Sequence, residues 1–107
     1  MIEIDLVHYL SSHNFKCGLE RQKNIDVILE KTGGQLKDHQ FLHIFAIQTY
    51  GSSKQKAAEL AYQVMNVMLA WMSNRVANVV LNAGPYDFTD TSTKEYRYQA
   101  VYEIYEF

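Results

Sequence analysis

The chain has 107 residues and a formal net charge of −2; 48% of its residues are hydrophobic and 21% are charged. This length matches a single domain, so we expect residues 1–107 to form one unit. One proline, five glycines and the large hydrophobic share exclude collagen-like, low-complexity and disordered chains. The slight acidic excess provides no global positive field that would recruit nucleic acid.

Cysteine content and hydropathy indicate the compartment. Cys17 is the single cysteine, so the chain has no internal disulfide and is not typical of a secreted disulfide scaffold. Glu3 and Asp5 interrupt the first apolar stretch, whereas a signal peptide begins with positive charge. Residues 57–72 form the longest weakly polar stretch, which is too short to span a bilayer. We therefore expect synthesis and assembly in the cytoplasm without a membrane partner.

The first half of the chain predicts one helix and two strands. Apolar residues at helical spacing predict a short amphipathic helix over residues 2–11. Residues 24–32 (NIDVILEKT) are β-branched and mostly alternating, and we expect Gly33-Gly34 to end this strand. Residues 40–50 (QFLHIFAIQTY) are apolar on both faces, which is typical of a central strand covered on both sides. The residues between the two strands predict a long hairpin loop.

A second helix is predicted to begin at Ser52. Ser52 and Gln55 fit a capping box, in which each side chain satisfies one free amide of the first turn. An apolar stripe then predicts a helix of about five turns that is the main packing element of the domain. The stripe consists of Ala58, Ala61, Met65, Met68 and Met72, and it is widened by Leu60, Val64 and Trp71.

The last third of the chain predicts further strands and fixes the expected fold class. Residues 75–81 have strand character, Gly84-Pro85 is expected to turn the chain, and residues 89–94 (TDTSTK) predict a polar loop. Residues 95–107 alternate strictly and predict a closing strand. We therefore expect an α+β domain with a mainly antiparallel, mixed sheet, a short N-terminal helix and one long helix packed on one face.

The four histidines do not predict a metal site. His39 and His43 are four residues apart, which is about 13 Å in an extended chain and too far for both to bind one zinc ion. His8 and His13 point to different sides of a helix. Scattered structural or surface histidines are the better interpretation.

Catalytic and ion-binding motifs are also lacking. Asp87 and Asp90 resemble a calcium loop only loosely, and a capped polar turn is the better interpretation. Gly33-Gly34 precedes no helix and so predicts a turn rather than a phosphate-binding loop. A lone cysteine such as Cys17 is more often inert than nucleophilic. We expect no enzymatic activity, no metal and no cofactor.

Nucleic-acid binding by the closing strand is not predicted. Its aromatic side chains are of a kind that can stack on bases. However, Glu95, Glu103 and Glu106 outnumber Lys94 and Arg97 along the same segment, and these carboxylates would repel phosphate groups.

Aromatic residues are concentrated at the end of the chain, where five of the fourteen lie in the last twelve residues. One face of the closing strand, which includes Tyr98 and Tyr102, is expected to cover the core. The opposite face carries Val101, Tyr105 and Phe107, which is more apolar area than a solvated face needs and predicts a subunit contact. The alternative is that the domain's own loops half cover this face.

Three stretches carry a resemblance to a known family. In chain order they are NIDVILEKTGG, HIFAIQTYGSSKQKAAELAYQVMNVML and GPYDFTDTSTKEYRYQAVYEIYEF. Their order and lengths resemble the small tail-terminator, or minor capsid, proteins of long-tailed bacteriophages and prophages. The resemblance covers nearly the whole chain, matches least before Lys23, and depends on the order of the motifs rather than on any one of them.

The resemblance implies a structural role in the virion, at the junction of tail and neck. Such proteins form a hexameric ring that caps the head-proximal end of the tail tube, stops its polymerisation and offers a surface for head attachment. The implied partners are further copies of the chain, the tail tube protein and the head–tail connector proteins. A closed ring needs two different patches that meet head to tail.

Candidate contact residues follow from the resemblance, from expected exposure and from the closing strand. Residues 33–40 and 85–94 are expected to form contact loops. The candidates are Gly33, Gly34, Lys37, Asp38, Asp87, Asp90, Lys94, Arg97, Val101, Tyr105 and Phe107. Two other functions remain open: a neck or head-completion protein bound to the portal, and a cytosolic small-molecule-binding or enzymatic domain with a pocket near Cys17.

Overall fold

The computed structural model describes residues 1–37 and 40–107, and it confirms the expected α+β class. Two helices pack on one five-stranded sheet. In chain order the elements are α1 (Ile2–Ser12), β1 (Cys17–Gly18), β2 (Val27–Lys37), β3 (Gln40–Gly51), α2 (Lys54–Leu69), β4 (Val76–Asp87) and β5 (Tyr96–Glu106).

The sheet has the strand order β1-β2-β3-β5-β4. The short β1 pairs in parallel with β2, and the other neighbours are antiparallel. Strand β3 lies at the centre, as its apolar sequence predicts, but α1 and α2 cover only one of its two faces, contrary to the expected cover on both sides. Strand β1 was not predicted, because two residues are too few to produce a periodic pattern. Both β4 and most of β2 have a free edge.

Alternation along the strands builds the core on one face of the sheet. Phe45 and Ile47 of β3 and Tyr102 and Ile104 of β5 point to the same side and are buried. The buried residues of both helices belong to the same cluster. The core is therefore a layer between the helices and this face, and no helix covers the opposite face, which we call the outer face.

Helix α1 packs through residues spaced four apart. Ile2, Leu6 and Leu10 are buried, which confirms the predicted amphipathic helix. Tyr9 links α1 to α2, because its hydroxyl donates to the carbonyl of Val67 at 2.6 Å. The Tyr9 ring also stacks on Trp71 at 4.9 Å, so aromatic contact and hydrogen bond together fix the two helices.

Helix α2 begins one residue later than predicted. The N-cap is Ser53, whose side chain accepts a hydrogen bond from the backbone N–H of Lys56 at 3.2 Å. The side chain of Gln55 instead bonds Glu59, so the predicted capping box of Ser52 and Gln55 is wrong. Ser53 itself is extended, with φ of −145° and ψ of 164°, so the helix begins only at Lys54 and Ser53 takes the N-cap position.

The buried stripe of α2 is also rotated from the predicted one. Its buried residues are Ala57, Ala61, Val64 and Met68. The helix ends at Leu69, so Met72 lies beyond it and is 78% exposed. Ala58 and Met65 are half-buried at the flank of the stripe. The prediction placed Ala58 rather than Ala57 in the stripe, but only the position of the sheet selects which of two adjacent apolar faces is covered.

Gly33-Gly34 does not end β2, contrary to the prediction. The strand runs on to Lys37, and Gly33 and Gly34 pair with Ile44 and His43 across the hairpin. A register shift between Lys31 and Gly33 marks a bulge instead of a turn. The predicted contact loop at residues 33–40 is thus mostly strand, because pairing with the central strand overrides the low strand propensity of glycine.

Gly84-Pro85 does not turn the chain either. Strand β4 continues through the pair to Asp87 and pairs with β5, and the Gly84-Pro85 peptide bond is cis. Gly84 has φ of +84°, which favours glycine. The register shifts at several points along β4, which is an edge strand, and edge strands tolerate bulges and proline. The predicted loop at residues 85–94 is therefore shorter and begins after Asp87.

Candidate interaction surfaces

The inward face of β5 closes the core as predicted. Ala100, Tyr102 and Ile104 are buried, Tyr98 is half-buried, and Tyr96 at the start of the strand is exposed. Burial raises the pKa of the Tyr102 hydroxyl far above its ordinary value. This face is occupied by the domain itself and is not free for a partner.

The outward face of β5 is only partly covered. Val101 lies in register between Ala46 of β3 and Ala83 of β4, and the Val101 side chain is half-buried. Tyr105 is half-buried as well, and its hydroxyl lies 3.4 Å from the Glu103 carboxylate. Strand neighbours provide this partial cover, so both side chains still present apolar surface to the outside.

A row of polar side chains crosses the outer face from β2 to β4. The amide of Gln48 donates to Gln99 at 2.8 Å and to Glu30 at 3.4 Å. The amide of Gln99 donates to the hydroxyl of Tyr86 at 2.6 Å. These bonds join four strands and divide the outer face into two parts, with Arg97 on one side of the row and Val101 and Tyr105 on the other.

Arg97 is held by the fold rather than free for a partner. Its Nε donates to the carbonyl of Phe88 at 2.7 Å, and one terminal nitrogen lies 3.4 Å from the Tyr50 hydroxyl. Its guanidinium also lies 4.7 Å above the centre of the Phe88 ring. The structure therefore gives Arg97 a positioning role for the turn before β5.

Asp87 and Asp90 form capped turns, which confirms the interpretation made from their spacing. Asp87 accepts bonds from the backbone N–H and hydroxyl of Thr89 at 3.0 and 2.6 Å, and Asp90 binds Ser92 in the same way at 2.9 and 2.6 Å. The Thr89 hydroxyl, and then Lys54 at 3.0 Å, hold the pKa of Asp87 at about 2. Asp87 is thus ionised at any physiological pH.

Apolar side chains collect at one end of the molecule. Of the six most exposed large hydrophobic side chains among the described residues, five lie at this end. We call it the apolar end; its residues and exposures are Met1 (68%), Leu36 (64%), Phe41 (54%), Met72 (78%) and Phe107 (69%).

Strand register places Leu36, Phe41 and Phe107 at the same end of the sheet, with Phe107 on the opposite face from the other two. Leu36 pairs with Phe41, which pairs with Glu106, the residue before Phe107. Strand β4 starts opposite Glu106, four residues after Met72. The molecule measures 43 × 24 × 21 Å. Strands of this length span roughly 36–40 Å, so the long axis follows the strands and the apolar residues occupy one tip.

Charged side chains form a chain of contacts beneath the apolar end. Arg75 contacts Asp5 of α1 at 2.9 Å and Glu106 of β5 at 3.0 Å, and His43 contacts the same Glu106 at 2.9 Å. The hydrogen bond from His43, followed by that from Arg75, lowers the pKa of Glu106. These contacts tie α1, β3 and β5 together and hold the apolar end in shape.

The residues predicted as contacts do not form one site. Arg97 and Asp87 lie at the opposite end from the apolar residues, together with Asp90 and Lys94. Gly33, Gly34, the backbone of Lys37, Tyr105 and Phe107 lie at or near the apolar end, and Val101 lies between the two. Asp38 lies outside the described residues.

A cationic cleft of about 500 Å³ lies at the end opposite the apolar one, and the sequence analysis missed it. Its positive side chains are Lys16, Arg21, Lys23 and Lys94, from the α1–β2 connection and from the turn before β5. In the sequence, Lys94 is separated from the others by more than 70 residues. The closeness of Arg21 and Lys23 was the only local signal available.

Cys17 is in contact with helix α1. The Cys17 sulfur is half-buried and lies 3.4 Å from the Ser11 hydroxyl and 3.5 Å from the Val7 carbonyl oxygen. His13 packs edge-on against Tyr9 at 4.8 Å. Within residues 1–37 and 40–107, no three His, Cys, Asp or Glu side chains are close enough to share a metal ion. No helix in the described part of the chain is long and apolar enough to cross a membrane.

Comparison with protein-family profiles and with curated protein sequences finds no match for this chain. The open surfaces described above and the motif order in the sequence are therefore the features of this chain that bear on its function.

Proposed function

We propose that this chain is a structural assembly protein of the tail-terminator type, which forms a ring on the head-proximal end of a phage tail tube. Its partners in this proposal are further copies of the chain, in a hexameric ring as the resemblance implies, then the tube protein and the head–tail connector. The observation that carries the proposal is the apolar end, the tip of the molecule at which five of its most exposed large apolar side chains lie.

Exposed apolar surface of this kind favours association. Large apolar side chains scattered singly are ordinary on a protein surface, whereas a contiguous group marks an interaction site. Leu36 and Phe41 are direct cross-strand neighbours, and Phe107 follows the residue paired with Phe41. Covering a Phe or Leu side chain on assembly contributes roughly 1.5–3 kcal/mol.

The two ends of the molecule differ in surface composition, and so do its two faces. Such a difference is compatible with a head-to-tail contact between subunits. Ring closure needs two unlike patches on each subunit. The apolar end provides one, and the half-covered outer face around Val101 and Tyr105 provides a second of different composition. The register shifts along β4 disfavour pairing of that edge with a strand of a second copy, which would lead to an open-ended assembly.

Self-association of the purified chain tests the role of the apolar end. We expect light scattering to show a concentration-dependent oligomer, and Phe41→Asp to weaken association at least about tenfold, since 1.4 kcal/mol corresponds to a factor of ten. Leu19→Asp is the matched control, because Leu19 is 55% exposed but lies in the α1–β2 connection. Equal effects of the two variants at unchanged melting temperature contradict the proposal.

A tail-assembly assay tests the function itself, including the case in which the free chain is a monomer that assembles only on a tube. Tails made without the protein should exceed the normal length, and tails of normal length contradict the proposal. Cross-linking from Lys94 should reach the tube protein. Cross-links only to portal or connector subunits identify a neck protein instead and refute the terminator role.

A further inference from the structure

The cationic cleft combines positive charge with an aromatic rim. Lys16 and Lys23 line it from the α1–β2 connection, Lys94 from the turn before β5, and Ser52 from the approach to α2. Tyr96 also lines it and is exposed. Because Ser53 caps α2 at this point, the positive end of the helix dipole is directed to the same region and adds to the field of the lysines.

Arg21 belongs to the framework of the cleft. Its guanidinium lies 4.2 Å above the centre of the Tyr50 ring and contacts Glu95 at 3.2 Å. It also donates to the backbone carbonyls of Gln22 and Ile25. These contacts neutralise the Arg21 charge and attach the α1–β2 connection to the sheet. Arg21 therefore positions the neighbouring lysines.

The three lysines keep unmatched charge. Within residues 1–37 and 40–107, Lys16, Lys23 and Lys94 have no carboxylate oxygen within 4 Å. Asp26 is the remaining carboxylate of the lining once Glu95 is paired with Arg21. Three lysines against one carboxylate leave an excess of two positive charges, in a chain whose net charge is −2.

We infer that this cleft binds the sugar–phosphate backbone of a single-stranded nucleic acid, without sequence preference. Lysine ammonium groups bind phosphate as point charges, and three of them from two segments suit a succession of phosphates. The exposed ring of Tyr96 provides a surface on which a base can stack. An acidic peptide would use the lysines but leave Tyr96 without a role.

Nucleic-acid binding at the cleft does not depend on the proposed ring. It revises only the expectation, drawn from the charges of β5, that the closing strand does not take part in nucleic-acid binding. That expectation weighed the glutamates of the strand against Lys94 and Arg97. The fold adds Lys16 and Lys23 beside Lys94, while Glu103 and Glu106 lie toward the other end of β5. The binding surface is thus built by segments that the strand alone does not show.

Titration of the purified chain with a fluorescent twelve-nucleotide poly-dT strand at several salt concentrations tests the inference. Three phosphate contacts to a single strand predict a slope near −2 for the logarithm of the association constant against the logarithm of salt concentration. We expect a dissociation constant of about 10⁻⁴ M at physiological ionic strength, tightening as salt is lowered. Binding that does not depend on salt overturns the inference.

Substitution of single lysines locates the site. Lys16→Gln, Lys23→Gln and Lys94→Gln should each weaken binding about eightfold in 50 mM salt and reduce the slope by about 0.7. Lys56→Gln is the matched control, since Lys56 is exposed on the first turn of α2 but does not line the cleft. An equal loss in the control indicates general charge attraction and overturns the site.

Two competitors and one aromatic variant establish the kind of ligand. Tyr96→Leu should weaken poly-dT binding about fivefold or more, as loss of one stacked base does. A poly-glutamate peptide that competes as well as poly-dT overturns the assignment to nucleic acid, and so does dTMP that competes equally well. All these measurements use the isolated chain, so their failure leaves the ring proposal untouched.

Discussion

Tyr102 lies at the centre of the core, and its hydroxyl has no hydrogen-bond partner among the described residues although the side chain is fully buried. Burying a hydroxyl without a partner costs about 1–3 kcal/mol. Phenylalanine keeps the ring and its packing against Phe45 and Ile104 but lacks the polar atom. We therefore expect Tyr102→Phe to leave the fold intact and to raise the free energy of unfolding by about 1 kcal/mol.

Two other tyrosines provide matched controls for the same chemical change. Tyr9→Phe removes the 2.6 Å bond to the Val67 carbonyl and should lower the free energy of unfolding by about 1 kcal/mol. Tyr105→Phe removes a half-exposed hydroxyl with only a 3.4 Å contact to Glu103, so its effect should stay within about 0.5 kcal/mol. The structure thus predicts opposite signs for Tyr102 and Tyr9.

Urea unfolding followed by circular dichroism measures all three variants, with thermal melting as a second readout. At about 2.1 cal/mol/K of unfolding entropy per residue, 1 kcal/mol corresponds to a shift of about 4 °C for a chain of this length. If Tyr102→Phe is destabilised by 1 kcal/mol or more, the hydroxyl has a partner in solution and the reasoning is refuted. Destabilisation of Tyr9→Phe alone would support it.

Two further predictions concern the hairpin and the charged contacts. Gly51→Ala should lower the free energy of unfolding by about 2–3 kcal/mol in urea, because a Cβ there would clash with the backbone nitrogen of Ala57, whereas Gly33→Ala meets only side-chain atoms of Ile44, the nearer at 3.6 Å, and should be tolerated. Equal effects of the two alanines would show that the close approach at Gly51 is relaxed in solution. Glu106 has a lowered pKa, so its stabilising contribution is present above about pH 4.5 and is lost as the pH falls through its folded value. Glu106→Gln should therefore flatten the pH dependence of unfolding below about pH 4.5, and an unchanged slope there would argue against the contact with His43.

Local patterns determined much of the architecture. The spacing of Ile2, Leu6 and Leu10 predicted α1, and the unbroken apolar run around Phe45 predicted a central strand. Strict alternation after residue 95 predicted that Tyr102 would face the core and Val101 would not. These predictions held because burial of a periodic apolar face is a property of the segment itself.

The turns predicted at two glycine-containing pairs were wrong for the same reason. Gly33-Gly34 and Gly84-Pro85 are both strong local turn signals, yet both lie within strands. In each case the strand is paired with a neighbour that has the better strand sequence, β3 or β5. Hydrogen bonds to such a partner outweigh a local preference of about 1 kcal/mol, and a bulge absorbs the mismatch.

Residues close together in the chain were enough to specify the α+β class, the identity of the main elements and the inward face of β5. Which surfaces stay open depends on the folded chain. Leu36, Phe41 and Phe107 lie at one tip, and Lys16, Lys23 and Lys94 line the cleft at the other, although long stretches of sequence separate them. No local sequence pattern encodes these arrangements, because they depend on the register of the whole sheet.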